Sequence, residues 1–237
     1  MSDRRSLERW PAGHRAALCL TVNVDGVHGG IGQPALDGLY DQAGMIRLLD
    51  VLGDAGVSAT FCWVGRVAEE EPALLRRTVD EGHELAMHSW DHRGYAEMGE
   101  QAQRQDLERT REALMLIGGV EPVGHRTPGR SHDASTHRIA QELGLLWVMD
   151  EPGGDLPSLV RADQAERPLV NLPANRWLDD RFWAGDNLLT PQLAYEALRE
   201  ELDVLRGEGK AMFLTLHPSV SGRPGASRSI SRLLDYA

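Results

Sequence analysis

Short apolar runs alternate with stretches of helical spacing along nearly the whole chain, and this alternation constrains the fold more than any other feature. ALCLTVNV (17–24), SATFCWV (58–64), HELAMHS (83–89), PVGHRTP (122–128), LLWVMD (145–150) and AMFLTLHP (211–218) read as strands. PSLVRA and RPLVNLP read as further strands in a less regular region. Between them, 41–56 puts Met45, Leu48, Leu49 and Leu52 on one helix face and stops at Gly56. PALLRRTVDEG is helical, with Pro72 in its first turn and Gly82 beyond its end. An amphipathic helix over 101–118 ends at Gly118, and 135–144 is a short helix with Ser135 as its N-cap. A helix over 190–209 takes Thr190 as N-cap and Pro191 at its first position, and ISRLLDYA lies inside or just after a last helix. Strands separated by helices imply a largely parallel sheet. Seven or eight strands in 237 residues favour an α/β, distorted (β/α)7-8 barrel, built as a single domain over 1–237. VDGVHGGIG matches neither GxGxxG nor a P-loop, which lowers the dinucleotide-binding reading.

In parallel α/β folds the strand C-termini converge on one rim, where sites are built. Here those ends are polar: Asn23 and Asp25, His88, then His125 and Arg126, Asp150, and His217. With nine histidines in 237 residues, about a third of one accidental HxxxH pair is expected, so His88 and His92 alone are a weak signal. At a strand end, with Asp25 at another, they suit Zn²⁺ with an open position. Such an ion polarises a carbonyl and lowers the pKa of water to about 7.

Composition limits the alternatives. Net charge is −11, from 25 basic against 36 acidic side chains. Neither a nucleic-acid partner nor an anionic membrane surface suits such a chain. MSDRRSLERWPAGHRAALCL shows no apolar signal-peptide core, which makes the cytoplasm the expected location. Cys19 and Cys62 sit in apolar runs and read as buried free thiols.

These residues together resemble the polysaccharide deacetylases, the NodB-homology or carbohydrate esterase 4 group. The likeness is greatest to the branch holding a peptidoglycan-deacetylase-like protein and the allantoinase-like and cyclic-imide hydrolases. It runs from about Ala17 to Arg223. HSWDH matches the family's His-Ser/Thr-x-x-His motif, HRTPG its Arg-x-Pro motif, and VNVDG stands at its Asp-rich motif. LPANRWLDDRFW and LTLHPSVSGRP resemble two further segments of the branch. The resemblance implies a divalent metal, expected to be zinc, on Asp25, His88 and His92. It implies that His217 is a general acid, that Arg126 orients a catalytic carboxylate, and that the chain forms a homo-oligomer.

One departure matters. The family's base carboxylate precedes the metal Asp by one or two positions, where this chain has Val24 and Asn23. Asparagine hydrogen-bonds but has no useful basicity. Asp91, Asp150, Asp179 or Asp180 could replace that base, or His217 could serve as both base and acid. Trp90, Pro128, Trp177 and Arg223 are candidate substrate contacts, and Trp183 is a further aromatic candidate. His83 and Glu84 read as structural, His125 as packing beside the site, and His14, His28, His132 and His137 as surface groups. The expected function is metal-dependent hydrolysis of a non-peptide C–N bond, by N-deacetylation of a small or saccharide substrate. Two alternatives remain: ring opening of a cyclic amide, imide or ureide, and a pocket-retaining binding protein with weak catalysis.

Overall fold

Ala17–Val24 (β1), Thr60–Trp63 (β2), Glu84–Met87 (β3), Gly124–His125 (β4), Trp147–Val148 (β5), Ser158–Val160 (β6), Leu169–Asn171 (β7) and Ala211–Leu216 (β8) form one sheet. The computed structural model describes residues 10–29, 34–161, 167–184 and 189–237. Most of the charged N-terminal segment (1–9), the end of VDGVHGGIG and part of the segment between β6 and β7 lie outside those residues. The strand order is β6-β7-β5-β4-β3-β2-β1-β8, parallel throughout except that β6 pairs antiparallel with β7. The sheet curls into a half-barrel. Among the described residues its edges meet through an Asp179–Thr215 bridge and through the Ala211 N–H, which donates to the Asp155 carbonyl at 2.8 Å.

Helices cover the sheet: Pro34–Ala55 (α1), Gly65–Glu70 (α2), Pro72–Asp80 (α3), Glu100–Gly118 (α4), Ala134–Glu142 (α5), Asp180–Ala184 (α6), Pro191–Glu208 (α7), Pro218–Ser221 (α8) and Pro224–Tyr236 (α9). Every residue of β8 is buried, as a strand covered on both faces requires. Met45, Leu48, Leu49 and Leu52 of α1 are likewise buried, each contributing about 2 kcal/mol of burial. A Cβ on Gly44 would lie 2.0 Å from the Pro218 carbonyl. The missing side chain therefore lets α1 press against α8, directly behind His217.

The sequence pattern and the structure differ at several points. Helix α1 starts at Pro34 rather than Asp41, and α2, six residues long, is too short to show periodicity. Asp133, not Ser135, caps α5: its carboxylate accepts from the Ser135 and Thr136 N–H groups, and Thr136 completes a capping box. The runs read as PVGHRTP and LLWVMD pair over two residues each, because their polar ends leave the ladder to form the rim. Thr190 does cap α7, accepting from Leu193 N–H, and Pro191 opens it.

Candidate active site

The HSWDH segment turns sharply away from β3. The His88 N–H continues the ladder to the Trp63 carbonyl at 2.9 Å, and then Ser89 and His92 adopt left-handed backbone angles, φ 60° and 61°. Such angles cost non-glycine residues on the order of 1–3 kcal/mol and persist where the surroundings over-determine them. Here the Gly65 and Arg66 N–H groups at the start of α2 donate to the Ser89 and Trp90 carbonyls. From α4, Asp106 accepts from the Trp90 N–H at 2.9 Å.

The turn brings His88 and His92 onto Asp25, at the end of β1. His88 Nε2 lies 3.3 Å from Asp25 Oδ1, and His92 Nε2 lies 3.4 Å from Oδ2. The ligand atoms of all three lie within 4.8 Å of one another. His88 Nδ1 is 2.7 Å from the Arg126 carbonyl. A carbonyl only accepts, so Nδ1 carries a proton, and in the neutral ring Nε2 then turns a lone pair toward Asp25. Both His88 Nε2 and Asp25 Oδ1 are buried without a hydrogen-bond partner among the described residues. Two acceptors facing each other in a buried site suit a shared cation. Burial raises the Asp25 carboxyl, but His92, His88 and His217 outweigh it and hold it well below the usual range. Burial brings the His92 imidazole down to about 4, which keeps it neutral and able to ligate. Arg181 Nη2 rests on Asp25 Oδ2 at 2.7 Å, leaving Oδ1 the unshared oxygen.

On the other side of the site, His217 follows β8. Its Nδ1 lies 2.5 Å from Asp180 Oδ1, and its backbone N–H donates to Asp180 Oδ2 at 2.6 Å. Asp180 Oδ2 also accepts from the Ser221 hydroxyl at 2.7 Å and from its N–H at 3.3 Å. Nε2 of His217 is thereby aimed at the site, 3.7 Å from Asp25 Oδ2 and 3.4 Å from Asn23 Nδ2. Burial lowers the His217 pKa, yet Asp180, followed by Asp25, outweighs it and the net shift is upward.

Asn23, His88, His92, Arg126, Asp179 and His217 line one cavity of about 340 Å³. Arg126 is buried, donating from Nη1 to Thr215 Oγ1 at 2.7 Å and pairing through Nη2 with Asp179 Oδ2 at 3.5 Å. Of the four carboxylates weighed as a base, Asp179 lines the cavity and Asp180 is buried behind His217. Asp150 is held by His137 and the Thr127 N–H, and Asp91 does not line the cavity.

Trp90, Pro128, Trp177 and Arg223 do not line this cavity. Trp90 packs on Gly65 and beneath the Arg109 guanidinium, 3.5 Å from the ring centroid. Pro128 is buried in the turn after β4. Trp177 is 69% exposed, edge-on to Phe182, and with Trp183 it lines a separate apolar hollow. Arg223 donates to the Ser219 carbonyl at 2.8 Å. His137 is not a surface group: it is buried against Asp150 at 3.2 Å with His132 stacked on it. His83 accepts from the Ala59 N–H, and burial pushes Cys62 up to about 12 and Cys19 to about 11, far from nucleophilic. The anchoring role of Asp180, the contact of Arg181 with Asp25 and the cavity positions of Arg130 and Arg176 were not foreseen. All four stand inside or beside quoted motifs, but only the folded loops place them.

The polysaccharide deacetylase family profile matches residues 37–148. A solved Mycobacterium smegmatis protein assigned to the polysaccharide deacetylases superposes with a TM-score of 0.90 at 29% identity, over 100% of this chain and 88% of that one. The chain is thus similar to the polysaccharide deacetylases in sequence over residues 37–148 and in fold along its whole length. Among curated deacetylases, it is 32% identical over 106 residues to the peptidoglycan-N-acetylglucosamine deacetylase PgdA of Listeria monocytogenes, covering 44% of this chain and 22% of that protein. It is 41% identical over 117 residues to the chitooligosaccharide deacetylase of Sinorhizobium fredii, covering 48% of this chain and 54% of that protein. It therefore spans about a fifth to a half of these deacetylases. The PuuE allantoinase structure shares the fold, with a TM-score of 0.86 at 22% identity, over 98% of this chain and 87% of that one. The profile includes His88, His92 and Arg126 but not Asp25, Asp179, Asp180 or His217, whose places in the site rest on geometry. Among the described residues, no helix is long and apolar enough to cross a membrane.

Proposed function

We propose that this chain hydrolyses a non-peptide amide C–N bond, removing an acyl group from a small or sugar-like amine. The observation that carries this reading is the pair of orphaned acceptors, His88 Nε2 and Asp25 Oδ1, facing each other beside His92 and across from His217. Asp25, His88 and His92 would hold a divalent ion, and a His₂Asp donor set suits zinc. Such an ion supplies Lewis-acid polarisation of a carbonyl and activation of water.

The protein's own groups divide the proton work. Asp180 fixes the proton of His217 on Nδ1 in the neutral ring and raises the pKa of the imidazole. The protonated ring then presents Nε2–H to the leaving nitrogen as general acid. Asn23, adjacent to Nε2, orients groups but takes no proton. The resemblance gives Arg126 a carboxylate partner that acts as base. In this chain Arg126 faces Asp179, which lines the cavity. Asp179, brought in from another loop, therefore takes the place of the base missing at position 23.

Acetate release from N-acetylated amines and amino sugars tests the reading, with Asp179→Asn expected to lower kcat by about 10²–10⁴ with little change in KM. Full activity in that variant would remove Asp179 from the base role. A cavity of about 340 Å³ also admits cyclic amides. Ring opening of hydantoins or succinimides without acetate release would move the assignment to that class.

A further inference from the structure

The cavity is basic although the chain is acidic. Arg126, Arg130, Arg176 and Arg181 line it, with Asp179 as the one lining carboxylate among the described residues, in a protein of net charge −11. Two of these guanidiniums are matched: Arg126 by Asp179 and Arg181 by Asp25. The other two have no carboxylate partner among the described residues. Arg130 donates to the Ala174 carbonyl at 3.3 Å, and Arg176 lies over the Phe182 ring, 5.3 Å from its centroid.

Arg130 has a second distinguishing feature. Three non-glycine residues have positive φ among the described residues: Ser89, His92 and Arg130, the last at 59° directly after Gly129 at 59°. The first two shape the HSWDH turn, and the third lines the same cavity as His92. Strain of this kind collects where a side chain must be delivered to a site. The bond to Ala174 then pins the Arg130 side chain to the loop after β7.

We propose that the pocket selects substrates bearing an anion, a carboxylate or a phosphate, which Arg130 and Arg176 receive while the amide lies toward His217. This rests on reading the cavity as the substrate pocket. A guanidinium fork matches both anions in geometry, and a basic mouth on an acidic protein concentrates anions locally.

Calorimetric titration of the metal-loaded full chain with three small probes tests this: N-acetyl-β-alanine, phosphorylated N-acetylethanolamine and the neutral N-acetyl-β-alaninamide. At least one anion is expected to bind about tenfold more tightly than the neutral amide, and the stronger of the two identifies the group. Arg130→Gln with Arg176→Gln is expected to bring the preference below about threefold, and the Lys versions to retain part of it. Both positions are exposed, so an unchanged melting temperature checks the variants' folding, and Arg176→Gln alone gives the readout if the pair misfolds. Equal affinity for all three probes overturns the proposal. So does a preference that survives both Gln changes, since the anion would then sit on the metal ligands or elsewhere. Binding requires no turnover, so hydrolysis without anion preference removes only this inference, and arginine-dependent binding without hydrolysis removes only the catalytic reading.

Discussion

Replacing Asp180 with Asn exchanges one oxygen for an NH₂ group and disturbs both the acid and its loop. The carboxylate accepts four contacts: Nδ1 and N–H of His217, and hydroxyl and N–H of Ser221, between 2.5 and 3.3 Å. It is fully buried. An amide keeps one acceptor oxygen and turns an NH₂ toward at least one of those N–H donors. Removing one partner of a buried, hydrogen-bonded charge pair costs about 3–5 kcal/mol. At roughly 2–4 °C per kcal/mol for a chain of this size, the melting temperature falls by about 10 °C. The chemical consequence is separate. Asp180 opposes the effect of burial on His217 and raises its pKa, so Asp180→Asn lowers it. The high-pH limb of the kcat/KM profile then moves to lower pH, and kcat falls by about 10²–10⁴ as the acid loses its orientation. Urea denaturation and a pH–rate profile measure the two effects. A midpoint shift below about 1 kcal/mol together with an unmoved limb would refute the assignment of Asp180 as the anchor of His217.

Asn23→Asp restores a carboxylate at the family's base position, beside His217 Nε2. If Asp179 already supplies the base, kcat rises less than tenfold, and a larger gain measured on the same acetamide would show that the wild-type chain lacks a working base. His125 is buried with neither ring nitrogen bonded among the described residues, and burial lowers its pKa from 6.5 to about 4. The unfolded chain takes up a proton near pH 6.5 that the folded chain refuses until about pH 4, so stability is lost as pH falls through that window. The loss is roughly 3 kcal/mol. His125→Phe, which keeps the ring against Tyr95, flattens urea midpoints between pH 7 and 4.5, and an unchanged slope would contradict it.

Much of the rim was legible because strand ends are short-range signals. The apolar run of β1 ends at Asn23 and Asp25, that of β3 at His88, and that of β8 at His217, and parallel topology alone brings such ends together. His92 was legible by spacing, although the left-handed turn that aims it was not. The support of the site was hidden, since Asp180 and His217 stand 37 residues apart and nothing local distinguishes Asp180 from Asp179. Aromatic and arginine candidates were misdirected for a related reason. Trp90, Trp177 and Arg223 lie next to motif residues in sequence, but a side chain one position along a turn points elsewhere. Arg130 reaches the cavity only through an uncommon backbone angle. His137 looked isolated because its partner Asp150 belongs to another strand end.

The claim on which the mechanism depends is that Asp25, His88 and His92 share one divalent ion. Zinc titration of the chelator-stripped protein, with elemental analysis of the product, tests it directly. One equivalent held tightly in the wild type, and lost by more than a hundredfold in affinity in Asp25→Asn or His88→Gln, is the predicted result. Absence of stoichiometric zinc, cobalt or manganese binding, or binding indifferent to those substitutions, would contradict it.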